Sequence, residues 1–210
     1  MSIFNKHGNQ AGFTLVELLV AISILALVAV LGWRGLDGIV RARVSLTQQM
    51  EVTRGMQLAF AQMQSDCEHI PVDGALLGPR PYLLFDKERL TMVRLSMVEN
   101  EPTRMQVVSY RVREGVLLRR ESLATRNMTE LDVMWKSATS DADTTEPVVL
   151  QTGITGIGVQ NWANNSWQII QAPLAAAGVA APGTTYGLQV VLQTRDLAAP
   201  MVKTFLLGGA

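Results

Sequence analysis

The residues in this sequence able to act as acids, bases or ligands fall in a few short stretches. Asp66, Glu68 and His69 lie close enough to suggest proton transfer, and Asp141, Asp143 and Glu146 are spaced like oxygen ligands of a calcium loop. Each group has a plainer reading. The first falls at the end of a predicted helix, where charges face solvent. The second lacks the turn glycine and the full ligand pattern of such a loop, so it reads as a solvated acidic segment. The single cysteine, Cys67, excludes an intrachain disulfide and follows Met56, Phe60 and Met63 at helical spacing, which predicts a small buried apolar side chain. His7 and His69 sit in different segments, and no nucleophile elbow or positioned triad is present. These patterns call for no catalytic residue, no metal and no cofactor.

Glu17 poses a sharper chemical problem. It stands at the head of an uncharged run from Leu18 to Leu31. A carboxylate at the centre of a membrane helix costs about 2.5–3.5 kcal/mol, and less near the edge. No neighbouring side chain supplies a cation. The order Gly12-Phe13-Thr14-Leu15-Val16-Glu17 offers an answer if the bond after Gly12 is cut. The freed Phe13 amine would lie one helical turn before Glu17, and the amine of a neighbouring copy could meet that carboxylate.

The element that positions Glu17 is a long helix. At about 1.5 Å per residue the segment 13–33 is roughly 30 Å long, enough to cross a bilayer, with Trp33 and Arg34 where an interfacial ring and a snorkelling cation belong. A cleaved secretory peptide fits less well, because Gly32-Trp33-Arg34-Gly35 lacks a small-x-small cleavage pattern. A permanent anchor suits the hydrophobicity, and a buried core helix is the third reading. No proline interrupts the chain between Met1 and Ile70, so the helix can continue past the membrane. Gly32, Gly35 and Gly38 mark the expected place for bending or local melting, or else for close helix packing. From Arg41 onward Val44, Val52, Met56, Phe60, Met63 and Cys67 form one predicted stripe, leaving Arg41, Arg43, Glu51, Arg54 and Asp66 solvated. Pro71 and Gly74 should end the element.

Beyond Pro71 the pattern changes to short extended segments. Strands are predicted over Tyr82–Phe85, Leu90–Met97, Met105–Val112, Val116–Arg119, Leu131–Trp135, Gly156–Trp162, Trp167–Ile170, Tyr186–Gln193 and Val202–Leu207. Gly115 suits a short hairpin, while Ser137–Pro147 and Ala172–Pro182 read as loops. Trp162 and Trp167 suit packing on a sheet better than a ligand pocket. These runs are too short and too close for a doubly wound nucleotide fold. They predict an α+β architecture, with the N-terminal helix on an antiparallel sheet and enough later strands for a second small sheet. The 18 basic and 18 acidic residues cancel, which argues against a general nucleic-acid binder.

The run Gly12-Phe13-Thr14-Leu15-Val16-Glu17 with Leu18-Leu19-Val20-Ala21-Ile22 resembles the prepilin cleavage motif of type IV pilins and type II pseudopilins. The resemblance implies a leader over 1–12, cleavage between Gly12 and Phe13 by a prepilin peptidase, N-methylation of Phe13, and an assembly role for Glu17. It also implies the pseudopilin fold, with a transmembrane helix over 13–33, its soluble continuation over 34–70 and a periplasmic β-rich head over 71–210. Trp33-Arg34-Gly35-Leu36-Asp37-Gly38-Ile39, Leu90–Arg94, Arg104–Tyr110 and Gly115–Arg120 are similar, in order, to J-type minor pseudopilins of the type II secretion system. That family implies a filament-tip subunit rather than an enzyme, with I-type and K-type partners, and the H-type and major pseudopilins as further ones. I- or H-type subunits and minor type IV pilins share the N-terminal signature. A membrane-anchored sensor or binding protein shares only the anchor and head.

Overall fold

A computed structural model describes residues 13–71, 76–98, 100–140, 142–163, 165–175, 187–195, 197 and 199–208. The chain divides between Met50 and Glu51 into two units. Helix α1, Leu15–Glu68, contributes to both. Within the first unit its apolar side chains are exposed, and the helix is long and apolar enough to cross a membrane. Helical structure persists through Gly32, Gly35 and Gly38, so the expected local melting does not occur. Intact backbone hydrogen bonding on both sides carries three unfavourable residues, each costing about 1 kcal/mol against alanine.

In the second unit the last turns of α1 bury Met56, Ala59, Phe60, Met63, Asp66 and Cys67. The predicted stripe therefore holds from Met56 to Cys67, and Arg54 is exposed as expected. Val44 is exposed and Val52 half-buried, so burial begins later than the apolar pattern suggested. The burial of Asp66 overturns its placement on the solvated face.

The sheets form in two groups, with antiparallel pairing throughout the described residues. Sheet 1 contains β1 (Pro81–Asp86), β2 (Arg89–Ser96), β3 (Arg104–Arg113), β4 (Val116–Glu121), β5 (Val148–Thr152) and β8 (Leu174–Ala175), ordered β5-β4-β3-β2-β1-β8. Sheet 2 contains β6 (Ile154–Ala163), β7 (Ser166–Ile169), β9 (Gly187–Thr194) and β10 (Met201–Leu206), ordered β10-β9-β6-β7. The β3–β4 hairpin turns at Glu114 and Gly115, whose φ values of 52° and 78° are the paired positive angles of a two-residue turn. Helix α1 reaches both sheets. Asp66 bonds side chains of β2, β3 and β4, while Phe60 lies 6.2 Å from Phe205 of β10 between ring centroids. The α+β architecture expected from the sequence is the one observed.

One strand expectation fails. Leu131–Trp135 lies inside helix α2, Met128–Thr139, rather than in a strand. Asn127 caps it, accepting from the Thr129 amide at 2.9 Å, and Glu130 is held by the Thr125 hydroxyl at 2.6 Å. Leu131 and Ala138 are buried two turns apart, the helical repeat that a five-residue window conceals. This helix packs on β3, and so β2 and β3 are buried through most of their length on both faces. The expected loop 137–147 is correspondingly shorter, since Ser137–Thr139 complete α2. The strand β5 that follows carries no prediction. It is an edge strand with Val148 and Val149 exposed, so its apolar residues do not alternate with polar ones. In the predicted loop 172–182, Leu174–Ala175 add a two-residue strand to β1, and 176–182 lie outside the described residues.

Candidate functional site

At the start of α1, Phe13 is exposed and the helix is capped by Thr14. The Thr14 amide and hydroxyl both donate to Glu17 Oε2 at 3.0 Å, and the Glu17 amide donates back to Thr14 Oγ1 at 3.3 Å. This reciprocal arrangement is a capping box. Glu17 thus has a partner within its own chain, and that partner is neutral. The Thr-x-x-Glu spacing that signals it is present in the sequence, where charge alone points to a cationic partner. Of the expected processing residues, Gly12 lies outside the described residues. Phe13 directly precedes the cap residue Thr14, and Glu17 lies in the first turn of the helix.

The trio near the end of α1 does not assemble into an acid–base centre. Glu68 accepts from Gln64 at 2.9 Å, and His69 Nδ1 meets the Ser65 carbonyl at 2.7 Å. Asp66 instead points into the sheet. Arg119 donates to it through Nε at 2.8 Å and Nη2 at 3.1 Å, a two-point fork. Arg94 Nη1 donates at 2.6 Å, Gln62 at 3.3 Å, and the Tyr110 hydroxyl completes the set. Asp66 has no exposed surface, and the Arg119 side chain is 8% exposed. Burial, then the Asp66 charge, pushes the Tyr110 hydroxyl pKa up. Burial works against the charge on Arg119, but bonding to Asp66 outweighs it and raises that pKa. Both carboxylate oxygens of Asp66 are occupied by these donors. The arrangement therefore locks helix to sheet and offers no site for proton transfer. The sequence did carry one trace of it: Arg94, Tyr110 and Arg119 occupy strand positions that place them on one face of sheet 1.

The other sequence candidates resolve into packing and turns. Cys67 is buried as expected, and burial, followed by the charges of Asp66 and Glu68, pushes its thiol pKa up and away from the reactive thiolate. Asp143 accepts from the Thr145 amide at 2.9 Å, a local turn contact, and Asp141 lies outside the described residues. Trp162 and Trp167 pair edge to face across β6 and β7, 5.2 Å apart, with Gly187 directly beneath. A Cβ on Gly187 would come within 3.1 Å of Trp162 and 3.3 Å of Trp167, so that glycine makes room for the pair.

Residues 7–33 match the family model described as the prokaryotic N-terminal methylation motif. No curated protein matches the chain. The motif supports a pilin- or pseudopilin-like class and, with the apolar helix, is consistent with a single-pass membrane anchor.

Proposed function

We propose that this pilin-like chain is a minor pseudopilin of a bacterial type II secretion system and that it is of the J-type it resembles. Its work is mechanical. After removal of residues 1–12 and methylation of the Phe13 amine, the helix over 13–33 holds the subunit in the inner membrane, with 34–70 and the head over 71–210 in the periplasm. Assembly with I-type and K-type subunits at the filament tip then starts the pseudopilus. No chemistry on a substrate is required of the chain. The observation that carries this reading is the Gly12-Phe13 junction, followed directly by a capped apolar helix with Glu17 in its first turn.

Intact mass and N-terminal sequencing of the membrane-extracted protein test it. The expected chain begins at methylated Phe13, and Gly12→Val leaves the leader attached, because a larger side chain obstructs the junction. A chain that retains Met1, or one that begins after residues 29–35, overturns the reading. Normal processing of Gly12→Val does the same for the cleavage site.

Glu17 is proposed to act between subunits, and the capping box makes the test cleaner. Glutamine at this position can still close the box while removing the charge. Glu17→Gln is therefore expected to leave helix start, cleavage and head intact, and to lower co-purification with I-type and K-type partners several-fold at matched abundance. Equal partner recovery and equal secretion would remove the intersubunit role. Glu17→Ala, which loses box and charge together, should be worse than Gln in both respects.

A further inference from the structure

The face of sheet 1 that carries α2 also carries a cluster of positive charge. Side-chain alternation puts Arg89, Arg111, Arg113 and Arg120 on one face. Arg89 pairs with Arg111 in register, and Arg120 pairs with Ser109. All four line a single recess next to the last turn of α2, and among the described residues Asp143 is the one acid that lines it. Guanidiniums stay charged at any physiological pH, so gathering four of them is costly unless anions answer them. Two are answered in part. Arg89 donates to the Thr139 carbonyl at the C-terminus of α2, where the helix dipole favours a cation, and Arg111 also has a partner. The other two carry the argument. Among the described residues Arg113 reaches only Glu114, at 3.7 Å, with its side chain 64% exposed. Arg120 Nε is buried and has no hydrogen-bond acceptor among the described residues.

We propose that this recess is an oxyanion site that takes one carboxylate group, bound chiefly by Arg120 and Arg113. A buried charged donor without an acceptor is unfavourable, and a carboxylate oxygen supplies both the acceptor and the opposite charge. Size selects among oxyanions. The recess has a cavity volume of about 20 Å³. One water needs about 10–15 Å³ on that measure, so the recess accepts the two oxygens of a planar carboxylate more readily than the four of a phosphate. The carboxylate can be that of a free small acid or of an acidic side chain on another polypeptide. The proposal does not depend on filament assembly.

The test uses the full chain in nonionic detergent, labelled so that arginine Nε–Hε resonances are resolved, at constant pH and ionic strength. Acetate should shift one such resonance saturably, chloride should not, and phosphate should bind no more tightly than acetate. Arg120→Gln should delete the responding resonance. Arg113→Gln, at an exposed position where folding is not at stake, should weaken acetate binding about tenfold. Asp143→Asn should tighten it by removing a resident negative charge. A short glutamate-rich peptide separates the sources: binding at least about tenfold tighter than acetate assigns the site to a polypeptide carboxylate, and equal affinity assigns it to a free acid. The proposal is overturned if acetate moves no arginine resonance, if phosphate binds more tightly, or if Arg113→Gln binds like the parent chain.

Discussion

Replacing Asp66 with alanine is expected to destabilise the head by about 3–5 kcal/mol, enough to threaten folding of a domain of this size. The magnitude follows from what remains after the change. Arg119, almost fully buried, would lose both bonds of its fork to Asp66 and keep only Glu121, at 2.6 Å. Arg94 and the Tyr110 hydroxyl would lose a partner at the same time. The cost is thus the stranding of buried donors, and exceeds the net worth of the ion pair itself. Denaturant unfolding of a chain truncated to begin at Ile39 provides the measurement. Asp66→Asn, which keeps the size and part of the bonding, should cost less. The double change Asp66→Ala/Arg119→Met should cost less than the sum of the two single changes, because it also removes the stranded guanidinium. A loss below about 1 kcal/mol for Asp66→Ala would show that water reaches the cluster and that it does not lock the helix.

Phe60→Ala is the second large effect, also at about 3–5 kcal/mol, and its origin is apolar. The side chain is 6% exposed and its ring tilts at 46° against Phe205 on β10. Truncation leaves a cavity where α1 meets sheet 2 and removes an aromatic contact. Leu58 on the same helix is 63% exposed, so Leu58→Ala should fall within about 0.5 kcal/mol of the parent. The same unfolding experiment gives both values. A Phe60→Ala loss below about 0.5 kcal/mol would mean that this face of α1 is not packed. Phe60 and Asp66 address different contacts of one helix, sheet 2 and sheet 1 respectively, and their costs should add within a few tenths of a kcal/mol where no partner is shared.

Much of this was legible in the amino-acid order, because it depends on local periodicity and local chemistry. The apolar run after Glu17, the absence of proline before Ile70, the three- and four-residue spacing from Met56 to Cys67 and the Glu114-Gly115 turn each follow from neighbours a few residues apart. The capping box at Thr14 and Glu17 belongs to the same class, since Thr-x-x-Glu is a local spacing. The packed structure decided what depends on residues far apart in the chain. Leu131 lies in a helix because Asn127 caps it and sheet 1 buries Leu131 and Ala138 on one side, information that five residues of a β-like run do not contain. Asp66 reads as solvated by its type and its place near a helix end. It is buried because Arg94, Tyr110 and Arg119 arrive from three strands to offset its desolvation. Arg113 and Arg120 look like ordinary surface charges until strand register places them beside Arg89 and Arg111. A charge can be buried or clustered only where distant partners compensate it, and those partners are chosen by tertiary packing.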